Sequence, residues 1–257
     1  MTHVRYERDG DVGEIVLASP PLNLFGETLI ADLRTAVDAA TEDRPRALII
    51  RAEGKVFTAG VDVQVFSGLD RAAADELTGG LLRLAHDVED LPFPTVALVH
   101  GLCLTAGLEL SLACDLLWAG EGVQFGLVEK VVGITPLMGG TQRMAERAGT
   151  ARARELVMTG GLYDAATLHA WGVVNRVLDG GDLLAKARRF GGRLAEGPTL
   201  AHAATKGVVR AQADHGTRGA DAVTAELTSH LFETEDCRGA VQSFLQEGPG
   251  KATFTGM

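Results

Sequence analysis

The chain has 257 residues, 46% of them hydrophobic, which is enough for one sizeable core with an appended segment. A net charge of −10 disfavours nonspecific attachment to nucleic acid, whose phosphates it repels. Three widely spaced cysteines, Cys103, Cys114 and Cys237, argue against a disulfide framework; Met1–Glu7 lacks an apolar signal core and no stretch approaches membrane-span length, so a soluble, reduced, cytoplasmic protein is expected.

In chain order, Gly13–Ala18 reads as a strand and Thr28–Thr41 as an amphipathic helix with Leu29, Leu33, Ala36 and Val37 on one side. The apolar run Ala47–Ala52 starts a second unit, turns at Glu53-Gly54, and leads to a helix from about Ala72 to Glu89. Pro92 and Pro94 close that helix and introduce a third strand, Thr95–Val99. Leu116–Ala119 and Val123–Phe125 read as short strands before Gly139-Gly140, and Gly172 as a helix stop ahead of a last strand, Val173–Val177. From Asp182 the pattern is helical, with breaks at Gly197-Pro198 and around Gly216. Elements recur as strand, strand, helix, with no residue-level repeat, so the pattern alone reads as α/β with a helical tail.

Two carboxylates stand out. Glu109 sits alone in the apolar helical run Leu108–Cys114, and Glu129 follows twenty positions later in Phe125-Gly126-Leu127-Val128-Glu129. A glutamate in such a helix is often a first-turn residue favoured by the helix dipole, or simply turned to solvent. A pair of them in apolar surroundings is instead what general acid/base chemistry requires, because burial is unfavourable unless the group is bonded, paired or protonated.

Two glycine-containing segments lie near the pair. Lys55–Val63 follows the second strand, and His100–Gly107 runs from the third strand into the Glu109 helix. Glycine serves ordinary turns, but small residues also let a ligand carbonyl approach the backbone, and N–H groups at a helix start attract negative charge. Two such donors aimed at one oxygen stabilise an enolate. Thr105 reads as an N-cap of the Glu109 helix, Asp62 and Asp115 as turn or cap residues, and His100 as a strand-end residue.

Competing chemistries lack their residues. There is no Gly-x-Ser-x-Gly, His-Glu-x-x-His or Cys-x-x-Cys. Gly248–Thr253 fails as a phosphate loop, since Leu245 takes the first glycine position, Ala252 replaces the Ser/Thr and no strand is expected before it.

Pro21-Leu22-Asn23-Leu24, Phe57-Thr58-Ala59-Gly60-Val61-Asp62, Gly107-Leu108-Glu109-Leu110 with Ala113-Cys114-Asp115, Phe125–Glu129 and Gly139-Gly140-Thr141-Gln142-Arg143 resemble, in order and spacing, the crotonase (enoyl-CoA hydratase/isomerase) superfamily. The likeness runs from about residue 12 to residue 177. It implies an α/β, crotonase-type spiral of strand-strand-helix units over residues 1–196, with residues 197–257 a C-terminal helical segment that packs against neighbours in a homotrimer, commonly doubled to a homohexamer.

The resemblance further implies an acyl-CoA thioester substrate, no separate cofactor and no metal. Glu109 and Glu129 would be catalytic, and the Val61 and Ala106 N–H groups would form an oxyanion hole. Leu24, Lys55, Phe57, Ala59, Gly60, Asp62, Val63 and Gly107 would line the substrate, with Lys55 and Lys251 as cations for the nucleotide phosphates of a polyanion that the acidic chain otherwise repels. The reaction implied is reversible hydration of a 2-enoyl-CoA. Δ3-Δ2 enoyl-CoA isomerisation or another crotonase-type acyl-CoA reaction, in which one carboxylate suffices, is the nearest alternative; a noncatalytic acyl-CoA-binding protein would be expected to lose the carboxylates or the oxyanion segment, and neither is lost. Two departures bear on the pocket: Thr105-Ala106-Gly107 stands where many hydratases carry a run of glycines, and Val128 where a proline often precedes the second glutamate.

Overall fold

Short apolar strands alternate along the chain with longer amphipathic helices, and the strands form two sheets. The computed structural model describes residues 2–256. Its larger sheet contains β1 (Val4–Asp9), β2 (Val12–Leu17), β3 (Ala47–Ala52), β4 (Thr95–Val99), β6 (Leu116–Gly120) and β9 (Arg176–Leu178), side by side in that order. Only the β1–β2 pair is antiparallel; every later neighbour is parallel. Parallel neighbours require a crossover between them, and the helices supply it.

The smaller sheet is β5 (Leu102–Leu104), β7 (Gln124–Gly126) and β8 (Tyr163–Asp164). Single parallel bridges, Phe25 to Val61 and Thr58 to Cys103, continue its pattern along the chain. Each turn of the spiral therefore runs through a large-sheet strand, then a short extended piece of the second layer, then a helix. The expected strand, strand, helix rhythm is this geometry.

The helices are α1 (Glu27–Asp43), α2 (Arg71–Glu89), α3 (Ala106–Ala113), α4 (Gly140–Ala148), α5 (Thr150–Thr159), α6 (Ala165–Ala170), α7 (Leu183–Ala195), α8 (Thr199–Thr228) and α9 (Glu235–Glu247). Leu29, Leu33, Ala36, Val37 and Ala40 of α1 are buried, which is the apolar stripe read from the sequence. With Leu81, Leu84, Ala85 and Val88 of α2 and Ala106, Leu108, Leu110, Leu112 and Ala113 of α3 they form the main core on one face of the large sheet. On the other face, Ile49, Val96, Leu98 and Trp118 are covered by α7, with the Trp118 and Phe190 rings 4.4 Å apart. Strands apolar on both faces read as continuous hydrophobic runs, as Ala47–Ile50 does.

Four strands differ from the sequence reading. β1 alternates charged and apolar residues and pairs through the tight turn at Gly10-Asp11, so its pattern is that of an edge hairpin rather than a buried run. The last strand is shifted to Arg176–Leu178, because the Val173 and Val174 N–H groups both bond to the Leu168 carbonyl and close the end of α6. β5 and β8 add short strands that the sequence pattern does not show, since three and two residues are too few to display a period. The helical tail breaks at Gly197-Pro198 and at Gly216, where φ is +70°, both at the expected places. Among the described residues, no helix is long and apolar enough to cross a membrane.

Asn23 joins the first turn of the spiral to the second. It is fully buried in the left-handed region (φ +49°), its Nδ2 donates to the carbonyls of Glu53, Val56 and Phe57, and its Oδ1 accepts from Ser19 N–H. Asn23→Ala strands one buried N–H and three carbonyls, and the expected loss is about 2 to 4 kcal/mol of stability. Chemical denaturation reads this; a midpoint unchanged from the parent removes the tether from the account.

Candidate active site

α3 is apolar on every side, and all eight of its residues are buried, so whatever it carries is placed inside the core. Its start is fixed by Thr105, whose N–H bonds to Gly126 O of β7 at 2.9 Å. Its end is held by Arg147, whose Nη2 donates to the carbonyls of Leu112 (2.9 Å) and Cys114 (2.5 Å). Gly107 must be glycine for a steric reason: a Cβ there would lie 2.0 Å from Thr58 Cγ2. Thr58 in turn donates to Asn23 O (2.7 Å) and accepts from Gly60 N–H (2.9 Å), so the two glycine segments interlock.

Glu109 therefore points from the first turn of a buried helix, and it is 2% exposed. Its Oε1 accepts from Met138 N–H (2.8 Å) and Gly140 N–H (2.9 Å), while Oε2 accepts no hydrogen bond from the described residues. A Cβ on Gly140 would sit 2.6 Å from Glu109 Cγ, so glycine is required for this approach. Arg143 steadies the same turn: its Nη1 reaches the Met138 and Gly139 carbonyls at 3.4 Å, and its guanidinium pairs with Glu89.

Glu129 opens the 3-10 turn Glu129–Val132 just after β7, is 6% exposed, and has no hydrogen-bond partner for either oxygen among the described residues. Burial pushes the Glu109 carboxyl up to about 7, with the two backbone donors and Arg143 pulling the other way. Burial also pushes Glu129 up to about 7, and the Glu109 charge adds to it. Both carboxyls are thus raised toward neutrality, mainly by burial, and the Glu109 charge acts on Glu129.

The backbone donors beside the pair are unequal. Ala106 N–H, the first of α3, has no partner among the described residues. Val61 N–H donates to Thr105 Oγ1 at 3.0 Å. Thr105 adopts the N-cap position, yet its side chain caps nothing: the expected structural cap is replaced by this contact across to the first glycine segment.

The remaining expected residues fall in several places. Gly60 (φ +107°), Ala59 and Gly107 lie at the junction of the two segments, and Phe25 N–H bonds to Gly60 O at 2.9 Å. Phe57 packs fully inside the core, its N–H on His100 O and its carbonyl on Asn23. Asp62 caps the turn Val63–Phe66 through Gln64 N–H, as a cap residue should, and with Leu24 it lines a groove of about 600 Å³ that also includes Leu22, Gln64 and Val65. Val63 is exposed on that turn. Asp115 is not a cap but a cross-tie, accepting from Thr95 N–H and Oγ1 and pairing with Lys206 at 2.9 Å. His100 Nε2 faces Gly54 O at 3.1 Å and so holds a turn. Lys55 is exposed beside Gly101, where a Cβ would be 2.3 Å from the Lys55 carbonyl; Lys251 is exposed in the tail beyond α9, and no hydrogen bond or ion pair among the described residues joins it to the site.

Met138, Gly140 and Arg143 hold Glu109; Gly140 and Arg143 stand in a motif of the family resemblance with no role assigned to them from sequence, and Met138 lies outside it. The Gly139-Gly140 pair was the available signal, because adjacent glycines permit close backbone approach.

The profile of the enoyl-CoA hydratase/isomerase family matches residues 7–256. The chain belongs to that family, within the crotonase superfamily. It is 36% identical over 217 residues to the enoyl-CoA isomerase/hydratase fer4 of Mycosarcoma maydis, covering 84% of this chain and 78% of that one. It is similar in structure to an enoyl-CoA hydratase subunit I from Geobacillus kaustophilus HTA426, with TM-score 0.93, 31% identity, and 99% and 98% of the two chains covered. An enoyl-CoA hydratase from Thermoplasma volcanium GSS1 aligns with TM-score 0.89 at 27% identity over 95% of this chain and 98% of that one.

For this family member the raised carboxylates have a stability consequence. A folded-state value near 7 lies above the ordinary 4.5, so the protonated forms favour folding, and stability falls as pH rises from about 4.5 through 7. Glu129→Gln removes a charge that has no partner. The variant is expected to gain on the parent between pH 5 and 8.5, by up to about 3 kcal/mol at the upper end. Denaturation midpoints at both pH values test this, and a pH-independent difference between the two proteins contradicts it.

Proposed function

We propose that the chain hydrates a 2-enoyl-CoA to a 3-hydroxyacyl-CoA. The observation that carries this reading is the buried pair Glu109 and Glu129, coupled near neutrality beside the free N–H at the start of α3. Adding water to a carbon-carbon double bond is slow unless the thioester carbonyl polarises it and fixed donors hold the negative oxygen that develops.

Glu109, its Oε1 pinned by two amides, takes a proton from water as the oxygen bonds to C3 of the substrate. Glu129 delivers its proton to C2 as the enolate collapses. The net change is one water consumed, and proton exchange between the two carboxyls resets the pair. The Ala106 and Val61 side of the site receives the thioester oxygen, with Leu24, Ala59, Gly60, Asp62, Val63 and Gly107 along the acyl-CoA and Lys55 and Lys251 for its phosphates.

Glu109→Gln and Glu129→Gln are each expected to lower kcat for crotonyl-CoA hydration by about 100-fold to 10,000-fold, the range that acid/base groups supply. Full activity in either variant removes the mechanism. Isomerisation of a 3-enoyl-CoA is the second reading, supported by the dual name of the Mycosarcoma relative. An isomerase turns that substrate over without Glu109, so assaying it with the Glu109→Gln variant separates the two.

Self-association through the C-terminal segment is part of the same proposal. Phe232, Val241, Phe244 and Leu245 expose 54 to 79% of their surface on or beside α9, as a helical pair that packs on a neighbour would. Sedimentation velocity is expected to give a trimer or hexamer, and a monomer at micromolar concentration contradicts it.

A further inference from the structure

Thr105 is a β-branched residue at φ +49° and ψ −124°, a conformation that glycine ordinarily takes. Its backbone is fixed on both sides, with N–H on Gly126 O and its own carbonyl accepting Glu109 N–H at 3.0 Å. The residue is 7% exposed. Its Oγ1 accepts from Val61 N–H at 3.0 Å, and its own proton has no acceptor among the described residues. Gly60 leaves room for that oxygen, since a Cβ there would be 2.6 Å from it.

A hydroxyl that has accepted one hydrogen bond and donated none keeps one donor to give, and buried polar hydrogens are rarely left unused. The next residue, Ala106, carries another unspent donor, the first N–H of α3. The two adjoin at the start of α3, beside the buried carboxylates.

We propose that the Thr105 hydroxyl, not the Val61 N–H directly, is the second donor of the oxyanion hole. Resting on the acyl-CoA reading above, the arrangement is Ala106 N–H and Thr105 Oγ–H on the thioester oxygen, with Val61 N–H behind, donating to Oγ1. The Val61 bond orients the hydroxyl and polarises it, since successive hydrogen bonds in a low-dielectric site strengthen one another. No bond is made or broken at Thr105, and its proton stays on oxygen throughout. A hydroxyl donating to an oxyanion forms a short, charge-assisted bond, which substitutes for an amide donor that its own side chain covers.

The test uses Thr105→Ser, Thr105→Val and Thr105→Ala in the full chain. Thr105→Ser is expected to keep kcat within a few-fold of the parent. Thr105→Val keeps the shape but sets a methyl before Val61 N–H, and kcat is expected to fall by about 100-fold to 1,000-fold, the loss typical of one oxyanion donor. Thr105→Ala should fall at least about 10-fold, because the hydroxyl donor is gone.

A second readout is the carbonyl stretching band of a bound saturated acyl-CoA, which should move to lower frequency in the parent and Thr105→Ser and lose most of that shift in Thr105→Val. Parent-like kcat and band in Thr105→Val, or activity at or above the parent in Thr105→Ala, overturns the proposal and makes the side chain only a plug. If Thr105→Val does not fold, Ser against Ala decides. A parent chain that turns over neither 2-enoyl- nor 3-enoyl-CoA removes the catalytic reading instead, and the carbonyl band of the bound thioester then decides the hydroxyl's part separately.

Discussion

Two carboxylates kept out of water are the constraint around which the rest of this molecule is arranged. Removing such a group from solvent is unfavourable by several kcal/mol unless it is bonded, paired or neutral, and the chain treats its two groups differently. Glu109 receives two backbone N–H bonds at one oxygen, whereas Glu129 receives none, and burial raises both carboxyls to about 7. In the proposed mechanism that asymmetry suits Glu109 to accept a proton and Glu129 to give one.

The spiral is what brings these groups together. Each turn passes from the large sheet through a short piece of the second layer and into a helix, so the ends of those short pieces stack beside one another. Val61 follows one such piece, Ala106 the next, and Glu129 stands three residues beyond the third, β7. The Thr105 N–H to Gly126 O bond ties the second and third turns at the level of the site, and Asn23 ties the first to the second. Apolar packing on both faces of the sheet makes that stack rigid, and rigidity is what a pre-organised site requires.

Close approach at the site is achieved by leaving out side chains in some places and by retaining one in another. Gly107 admits Thr58, Gly140 admits Glu109, and Gly60 admits the Thr105 hydroxyl. At position 105 a threonine occupies backbone geometry suited to glycine, and its oxygen fills the space in front of an amide. Backbone strain of this kind persists only where the surrounding structure enforces it, and here both neighbouring peptide groups are hydrogen-bonded.

Much of this was legible in the chain of residues. The period of Leu29, Leu33, Ala36 and Val37, the apolar run at Ala47–Ile50, and the stops at Gly172, Gly197-Pro198 and Gly216 all follow from local rules of helix, strand and turn, so they hold without a fold. The motifs of the family resemblance marked the two carboxylates and both glycine segments, and the family itself is matched over residues 7–256. Tertiary structure alone decided the partners. Nothing local says that Met138 and Gly140 will reach Glu109 across about thirty residues, that Arg143 will steady them, or that Thr105 will bond to Val61 instead of capping its own helix. Sequence patterns record which face a residue turns inward, whereas hydrogen-bond partners distant along the chain depend on how the turns of the spiral stack, and that is set only when the whole core closes.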